Sequence, residues 1–243
     1  MAEQQEMMER REREVLKFCD ELPERFGAIV IGGYAVSALS VPRYSADMDI
    51  VCPAGLENDV EEHLLKCGFS KIQERRDIEQ NYGGAMACYA LGMTSVDFLF
   101  GSVADREVKV PVPYETIKKN SEMLPLRGVS GVTSKLLQVA SREMLFALKI
   151  QPFRQKDQED LAALSLGDMN ISIIVRLLRP VAFRSGLIAV HAAKGIELAG
   201  TESFRHRMTS RFPGINKSNV SGFLKRFSSA LSRIQQDIHS SQS

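Results

Sequence analysis

Apolar residues punctuate the densely charged stretch 3–25 at helical spacing, through Met7, Met8, Val15, Leu16, Phe18 and Leu22. This pattern predicts an amphipathic helix laid against the domain that follows, with Arg10, Arg11 and Arg13 on a solvated face. From 28 to 53 the rhythm changes. Four apolar residues run into Gly32-Gly33, a short helical segment follows, and Arg43, Ser45, Asp47 and Asp49 precede another apolar run. That order predicts strand, tight turn, helix, strand. Residues 56–67 carry Val60, Leu64 and Leu65 at helical spacing and end at Gly68, a C-cap residue. Strands are predicted at 71–79 and 85–91, with Tyr82-Gly83-Gly84 as the turn, and again at 94–100, where TSVDFLF alternates imperfectly around one acid.

The signals are mixed between 105 and 134. Pro111 and Pro113 restrict 108–113 to an edge strand, and 114–120 reads as a short helix. Helical periodicity then dominates from about Lys135, with breaks near Pro152, Gly167, Pro180, Gly186, Gly200 and Pro213-Gly214. The expected fold is α+β, a mixed sheet flanked by helices and followed by a helical C-terminal domain. The expected boundaries are residues 1–133 and 134–243.

The stretch 28–53 also carries chemistry. In a strand, alternate side chains share a face, so Asp47 and Asp49 point the same way with Cα atoms about 7 Å apart. Two carboxylates on a strand that also carries Met48, Ile50 and Val51 repel each other and resist desolvation unless a cation sits between them. Magnesium, or manganese, suits carboxylate oxygens and keeps positions open for phosphate. Glycines without Cβ atoms let the backbone approach a ligand, and the helix after them aims free N–H groups at it. The arrangement suits a nucleoside triphosphate and its metal. Asp97, in the middle of an apolar strand, becomes the third metal-binding carboxylate if that strand pairs beside the Asp-x-Asp strand.

At 243 residues and 44% hydrophobic, the chain can bury one sizeable core or two modest ones. The formal net charge of +1 conceals an asymmetry: residues 176–243 hold eleven Lys/Arg against three acids, a net +8, which leaves −7 for the rest. A cationic C-terminal third fits a polyanionic partner, or equally a solvated helical surface. Cys19, Cys52, Cys67 and Cys88 lack zinc spacing and read as buried free thiols of a reducing compartment. The N-terminus is charged from Glu3, and no apolar run approaches the roughly 20 residues of a membrane helix. A cytoplasmic protein without a membrane role is expected.

The segment GGYAVSALSVPRYSADMDIV resembles the signature of the polymerase-beta-like nucleotidyltransferase superfamily, closest to its AbiEii-type branch of toxin nucleotidyltransferases. Gly32, Gly33, Ala35, Arg43, Ser45, Asp47 and Asp49 fill its Gly-Gly-x-Ala and Arg-x-Ser-x-Asp-x-Asp positions. A later segment, REMLFALKIQPFRQKDQEDL, is similar to the branch's Ala-x-Lys helix followed by Arg, Lys-Asp and Asp-Leu. Here these are Ala147, Lys149, Arg154, Lys156, Asp157, Asp160 and Leu161, with Arg154 one residue nearer to Lys156 than in some members.

The resemblance implies an enzyme that moves a nucleoside monophosphate from an NTP to an acceptor hydroxyl and releases pyrophosphate. Asp47, Asp49 and Asp97 would ligate metal. Gly32, Gly33, Arg43, Ser45 and Lys149 would bind the nucleotide, and Asp157 would orient Lys149 or position the acceptor. It further implies an RNA acceptor such as the tRNA 3′ end, and a cognate antitoxin protein. On that reading tRNA binding falls with salt and with removal of Arg205, Arg207 and Arg211. A small molecule of the aminoglycoside kind or a protein side chain stands as an alternative acceptor. A non-catalytic nucleotide- or partner-binding module of the same fold is the reading from another class.

Overall fold

The alternation in TSVDFLF is a physical fact of the computed structural model, which describes residues 2–75 and 84–240. Thr94, Val96, Phe98 and Phe100 are buried, while Ser95, Asp97 and Leu99 on the opposite face are half-buried. The chain separates into two units. The first is residues 1–38, 43–104 and 111–140, and the second is 39–42, 105–110 and 141–243.

The first unit is built on helix α1 (Ala2–Glu21), strand β1 (Ile29–Ile31), helix α2 (Gly32–Leu39), strand β2 (Asp47–Cys52), helix α3 (Glu57–Lys66) and strands β3 (Ser70–Arg75), β4 (Ala85–Leu91) and β5 (Thr94–Phe100). A two-stranded ribbon, β6 (Ser102–Val103) and β7 (Val112–Pro113), leads to helix α4 (Tyr114–Lys119) and the hairpin β8 (Ser121–Arg127) and β9 (Thr133–Ala140). Seven strands form one mixed sheet in the order β3-β4-β5-β2-β1-β9-β8. The β2–β5 and β1–β9 pairs are parallel.

Helix α1 lies on the apolar face of this sheet. Val15, Leu16, Phe18, Cys19 and Leu22 are buried, and Cys19 Sγ reaches Met48 Sδ at 3.2 Å. Met7, expected in that stripe, is exposed. Buried Glu12 accepts from Val129 N at 2.8 Å, Ser130 N at 3.0 Å and Ser130 Oγ at 2.6 Å, so it fastens the β8–β9 turn to the helix. Helix α3 ends at Lys66 with Cys67 as its C-cap, one residue before the expected Gly68, which follows at a left-handed φ of +87°.

The sequence expectation departs from the structure at four places. Residues 121–127 and 133–140 form a hairpin where mixed signals and then a helix were read. The apolar doublets Leu136-Leu137 and Val139-Ala140 fit helical spacing, yet non-local pairing with β1 and β8 makes the segment a strand. The expected edge strand at 108–113 is only Val112–Pro113. Strand β3 covers 70–75 of the predicted 71–79; the remainder, with Tyr82 and Gly83 of the predicted turn, lies outside the described residues. Pro180 is inside a helix and breaks nothing.

The second unit is helical: α5 (Arg142–Lys149), α6 (Gln155–Leu164), α7 (Ile171–Arg184), α8 (Leu187–Ala199), α9 (Glu202–Arg211) and α10 (Val220–Ser240). Phe204, Met208, Phe212, Leu224, Phe227, Leu231 and Ile234 belong to its buried core. Gly195 permits close packing, since a Cβ there would run into Leu231 and approach Phe153 and Phe227. The α+β architecture, a mixed sheet flanked by helices and followed by a helical C-terminal unit, agrees with the sequence expectation. No described helix is long and apolar enough to cross a membrane.

Candidate functional site

The parallel register of β2 and β5 sets the site. Asp49 lies directly opposite Asp97, and Asp47 opposite Ser95. Neighbouring strands run about 4.8 Å apart, and directly paired residues share a face. Asp47, Asp49, Ser95 and Asp97 therefore occupy one half-exposed face, while Met48, Ile50, Val96 and Phe98 fill the core behind them. The two distant acidic segments are thus brought together as side-by-side strands.

The glycine turn closes on this face. Strand β1 places Ile31 opposite Asp49, and Gly32 follows at φ +70°, left-handed backbone that glycine adopts without strain. A Cβ on Gly32 would overlap the Asp49 carboxylate, and a Cβ on Gly33 would overlap Ser45 Oγ and come within 2.9 Å of an Arg43 guanidinium nitrogen. Both glycines are required by close approach, to the residues that the motif shares.

Arg43 is buried. Its backbone N–H donates to Ser37 Oγ at 3.2 Å, Ser37 Oγ donates to its carbonyl at 3.2 Å, and its guanidinium donates to the Tyr44 carbonyl at 3.1 Å. Tyr34, two residues into α2, is buried; burial first, then the charge of Glu12, raises its hydroxyl well above the ordinary tyrosine value, with Asp47 a smaller contributor.

Three residues of this site were not singled out from sequence. Ser95 stands beside Asp47, Cys88 on β4 is the register partner of Asp97, and Ser37 holds Arg43. Ser95 was within reach of the alternation argument, because it is two residues from Asp97. Cys88 and Ser37 depend on pairings that no local pattern encodes.

The donor set, carboxylate oxygens of Asp47, Asp49 and Asp97 on one face of paired strands, is of the kind a hard divalent cation takes. Among the described residues, no three His, Cys, Asp or Glu side chains are already gathered into a metal-holding group. Asp49 and Asp97 both have other partners in this structure.

Lys149 and Asp157 sit in the second unit, in a buried cluster of their own. Lys149 Nζ lies 2.8 Å from Asp160 Oδ2 and 3.3 Å from Asp157 Oδ1. Asp157 Oδ2 also accepts from the Arg154 backbone N–H at 3.2 Å and from Arg154 Nε at 2.7 Å. Asp160, not Asp157, is the nearer of the two carboxylates to Lys149. Both carboxylates meanwhile compensate the lysine's charge inside the unit.

No family model matches the sequence, and no curated protein matches it either. Among solved structures, the chain is similar to an H. pylori protein whose assignment as a nucleotidyltransferase is itself provisional, at 13% identity and a TM-score of 0.46 over 99% of this chain and 98% of that one. It is also similar to the antibiotic-resistance factor ANT(2'')-Ia in solution, at 19% identity and a TM-score of 0.43, covering 69% of this chain and 86% of the other. A crystal structure of ANT(2'')-Ia with adenylyl-2''-tobramycin gives 16% identity and 0.35 over 69% and 87%. At these scores the likenesses decide nothing about activity, and the functional reading rests on this chain's own residues.

Proposed function

We propose that the protein is a nucleotidyltransferase that moves a nucleoside monophosphate from an NTP to an acceptor hydroxyl. One observation carries the reading: Asp49 and Asp97 are register partners on a half-exposed face, beside a Gly32-Gly33 turn packed so closely that a Cβ would strike Asp49 at the first glycine and Ser45 at the second. Phosphoryl chemistry asks a protein mainly for alignment and charge, and these residues supply both. The acceptor oxygen attacks the α-phosphorus, the bond to the pyrophosphate oxygen breaks with its electron pair leaving on pyrophosphate, and the Asp97 carboxylate takes the hydroxyl proton.

Asp47, Asp49 and Asp97 would hold Mg2+ or Mn2+, which when bound supplies charge neutralisation and lowers the pKa of the acceptor hydroxyl. Gly32 and Gly33 would let the triphosphate approach the backbone, with Arg43 and Ser45, which lie against the same turn, contacting its oxygens. Lys149 would contact phosphate oxygens only by exchanging one of its two carboxylate partners, with Asp157 orienting it. The acceptor we favour is RNA, at the tRNA 3′ end, with the protein acting in the cytoplasm as the toxin of a toxin–antitoxin pair. Exposed Arg176, Arg179 and Arg184, which no described acid pairs, support a polyanionic acceptor.

The test is incubation with magnesium, each α-labelled NTP and, in separate reactions, total tRNA, an aminoglycoside or the protein alone. Wild type is compared with Asp49→Asn and Asp97→Asn. Label on tRNA that both variants lose supports the full reading, and label on another acceptor keeps the transferase while removing RNA. No metal-dependent incorporation on any acceptor, or equal incorporation by the variants, defeats it.

A further inference from the structure

Helix α7 divides cleanly into two faces. Ile171, Ile174, Val175, Leu178, Val181 and Ala182 are buried, whereas Arg176, Arg179, Phe183 and Arg184 are exposed. At 100° per residue those four positions fall on one outward stripe. Phe183 is 86% exposed, the most exposed large hydrophobic side chain among the described residues. The helix, ISIIVRLLRPVAFR, contains no acid. Among the described residues Arg176, Arg179 and Arg184 make no ion pair or side-chain hydrogen bond, unlike Arg205, Arg207 and Arg211, each of which faces an acid.

We propose that this stripe of α7 binds a single-stranded nucleic-acid segment, with the three arginines on successive phosphates and a base stacked on Phe183. Arg176 and Arg184 are about 12 Å apart along the axis at 1.5 Å per residue, a span that reaches more than one phosphate. Guanidinium forks match phosphate oxygens, and an exposed ring offers any base a face to stack on. A membrane fits less well, because the apolar side of the helix is committed to the core and only one large apolar residue remains outward. An acidic peptide fits less well too, since the outward stripe offers a lone ring rather than a row of apolar anchors for a docked helix. The surface stands on α7 itself; its purpose, holding an acceptor strand, rests on the transfer reading above.

Fluorescence anisotropy with a labelled 12-nucleotide single-stranded RNA, titrated from low to moderate salt, tests the surface. Phe183→Ala should weaken binding about 5- to 150-fold without changing the salt slope. Arg176→Ala/Arg179→Ala/Arg184→Ala should lower the slope of log K against log salt by about 2, at roughly 0.7 per lost phosphate contact. Asp49→Asn should bind RNA as wild type does, so loss of transfer and loss of strand binding are read separately. All substituted α7 residues are exposed, and unchanged helical circular dichroism confirms folding. RNA affinity and slope unchanged in both α7 variants overturn the proposal, as does preferential binding of an acidic peptide or anionic phosphatidylserine vesicles that the same variants abolish.

Discussion

Replacing Gly32 by Ala tests whether the turn is held by backbone freedom, by close approach, or by both. The structure supplies its own control in Gly55, which also has a positive φ, +86°, but with nothing within 4 Å of an added Cβ. Gly55→Ala should therefore cost only the left-handed backbone term, about 1–2 kcal/mol. Gly32→Ala carries a similar term at φ +70° and adds an overlap with Asp49. A new rotamer could move the Asp49 carboxylate, but Asp49 Cβ itself would stand 2.9 Å from the new methyl, so strand β2 has to shift. Overpacking of that kind adds about 1–3 kcal/mol, for a total of about 2–5. With a urea m-value of about 2 kcal/mol/M, Gly32→Ala should lower the midpoint by about 1–2.5 M, and Gly55→Ala by about 0.5–1 M. The chain has no Trp, and its five Tyr all lie within residues 1–140, so tyrosine fluorescence reports the first unit. Equal midpoints for the two variants would refute the claim that Gly32 is required by contact with Asp49.

Other predictions follow from buried charge, pH and thiol exposure. Lys149→Met leaves Asp157 and Asp160 without their shared cation and should destabilise the helical unit by about 3–5 kcal/mol, while adding Asp160→Leu should recover part of that loss; thermal circular dichroism that moves little would show the cluster to be dispensable. The His63 pKa is lowered from 6.5, by burial first and then by Arg25, so the folded state binds this proton less well than the unfolded one. Its contribution is therefore nil above about 6.5 and increasingly destabilising as pH falls below it, and His63→Gln should remove that loss between pH 7.5 and 5.5; a wild-type deficit that does not grow on acidification would contradict this. Of the four cysteines only Cys67 is half-buried; burial, then the charge of Glu21, raises its thiol too, whereas burial pushes the Cys52 thiol up to about 12 and that of Cys19 higher still. An aromatic disulfide reagent at pH 8 should label one thiol per native chain and four after unfolding.

The site was more legible in the sequence than the sheet that carries it. Asp47 and Asp49 on one face of a strand, and a Gly-Gly turn that needs residues without Cβ atoms, were legible because both are local consequences of strand and turn geometry, whereas Asp97 entered only on the condition that its strand pairs beside theirs. The strand order was not local. Ile29 pairs with Gln138, more than a hundred residues away, and nothing between Leu136 and Ala140 distinguishes a central strand from a helix until β1 lies beside it. The same holds for Glu12, which reads as one charge of a solvated helix yet is buried because the turn at 129–130 points three donors at it.

The cationic C-terminal third shows why a count of charges is a weaker argument than a map of their partners. Arg207 Nε lies 3.0 Å from Glu159 Oε1, and an Arg211 guanidinium nitrogen lies 3.1 Å from Glu159 Oε2; the glutamate side chain is 3% exposed. A carboxylate so buried is tolerated because two guanidiniums face it, and removing either exposes the molecule to the several-kcal/mol penalty of an under-compensated charge. Arg205 is paired with Glu202, and Arg226 donates to the Leu166 carbonyl at 2.7 Å. Weaker RNA binding after Arg207→Ala or Arg211→Ala would therefore not separate a lost phosphate contact from a loosened α6–α9 packing. The arginines of α7 carry no such ambiguity, because no described residue pairs with them. Charge that the fold does not consume internally is the charge available to a partner, and Arg176, Arg179 and Arg184 set such charge on the same helix as the exposed ring of Phe183.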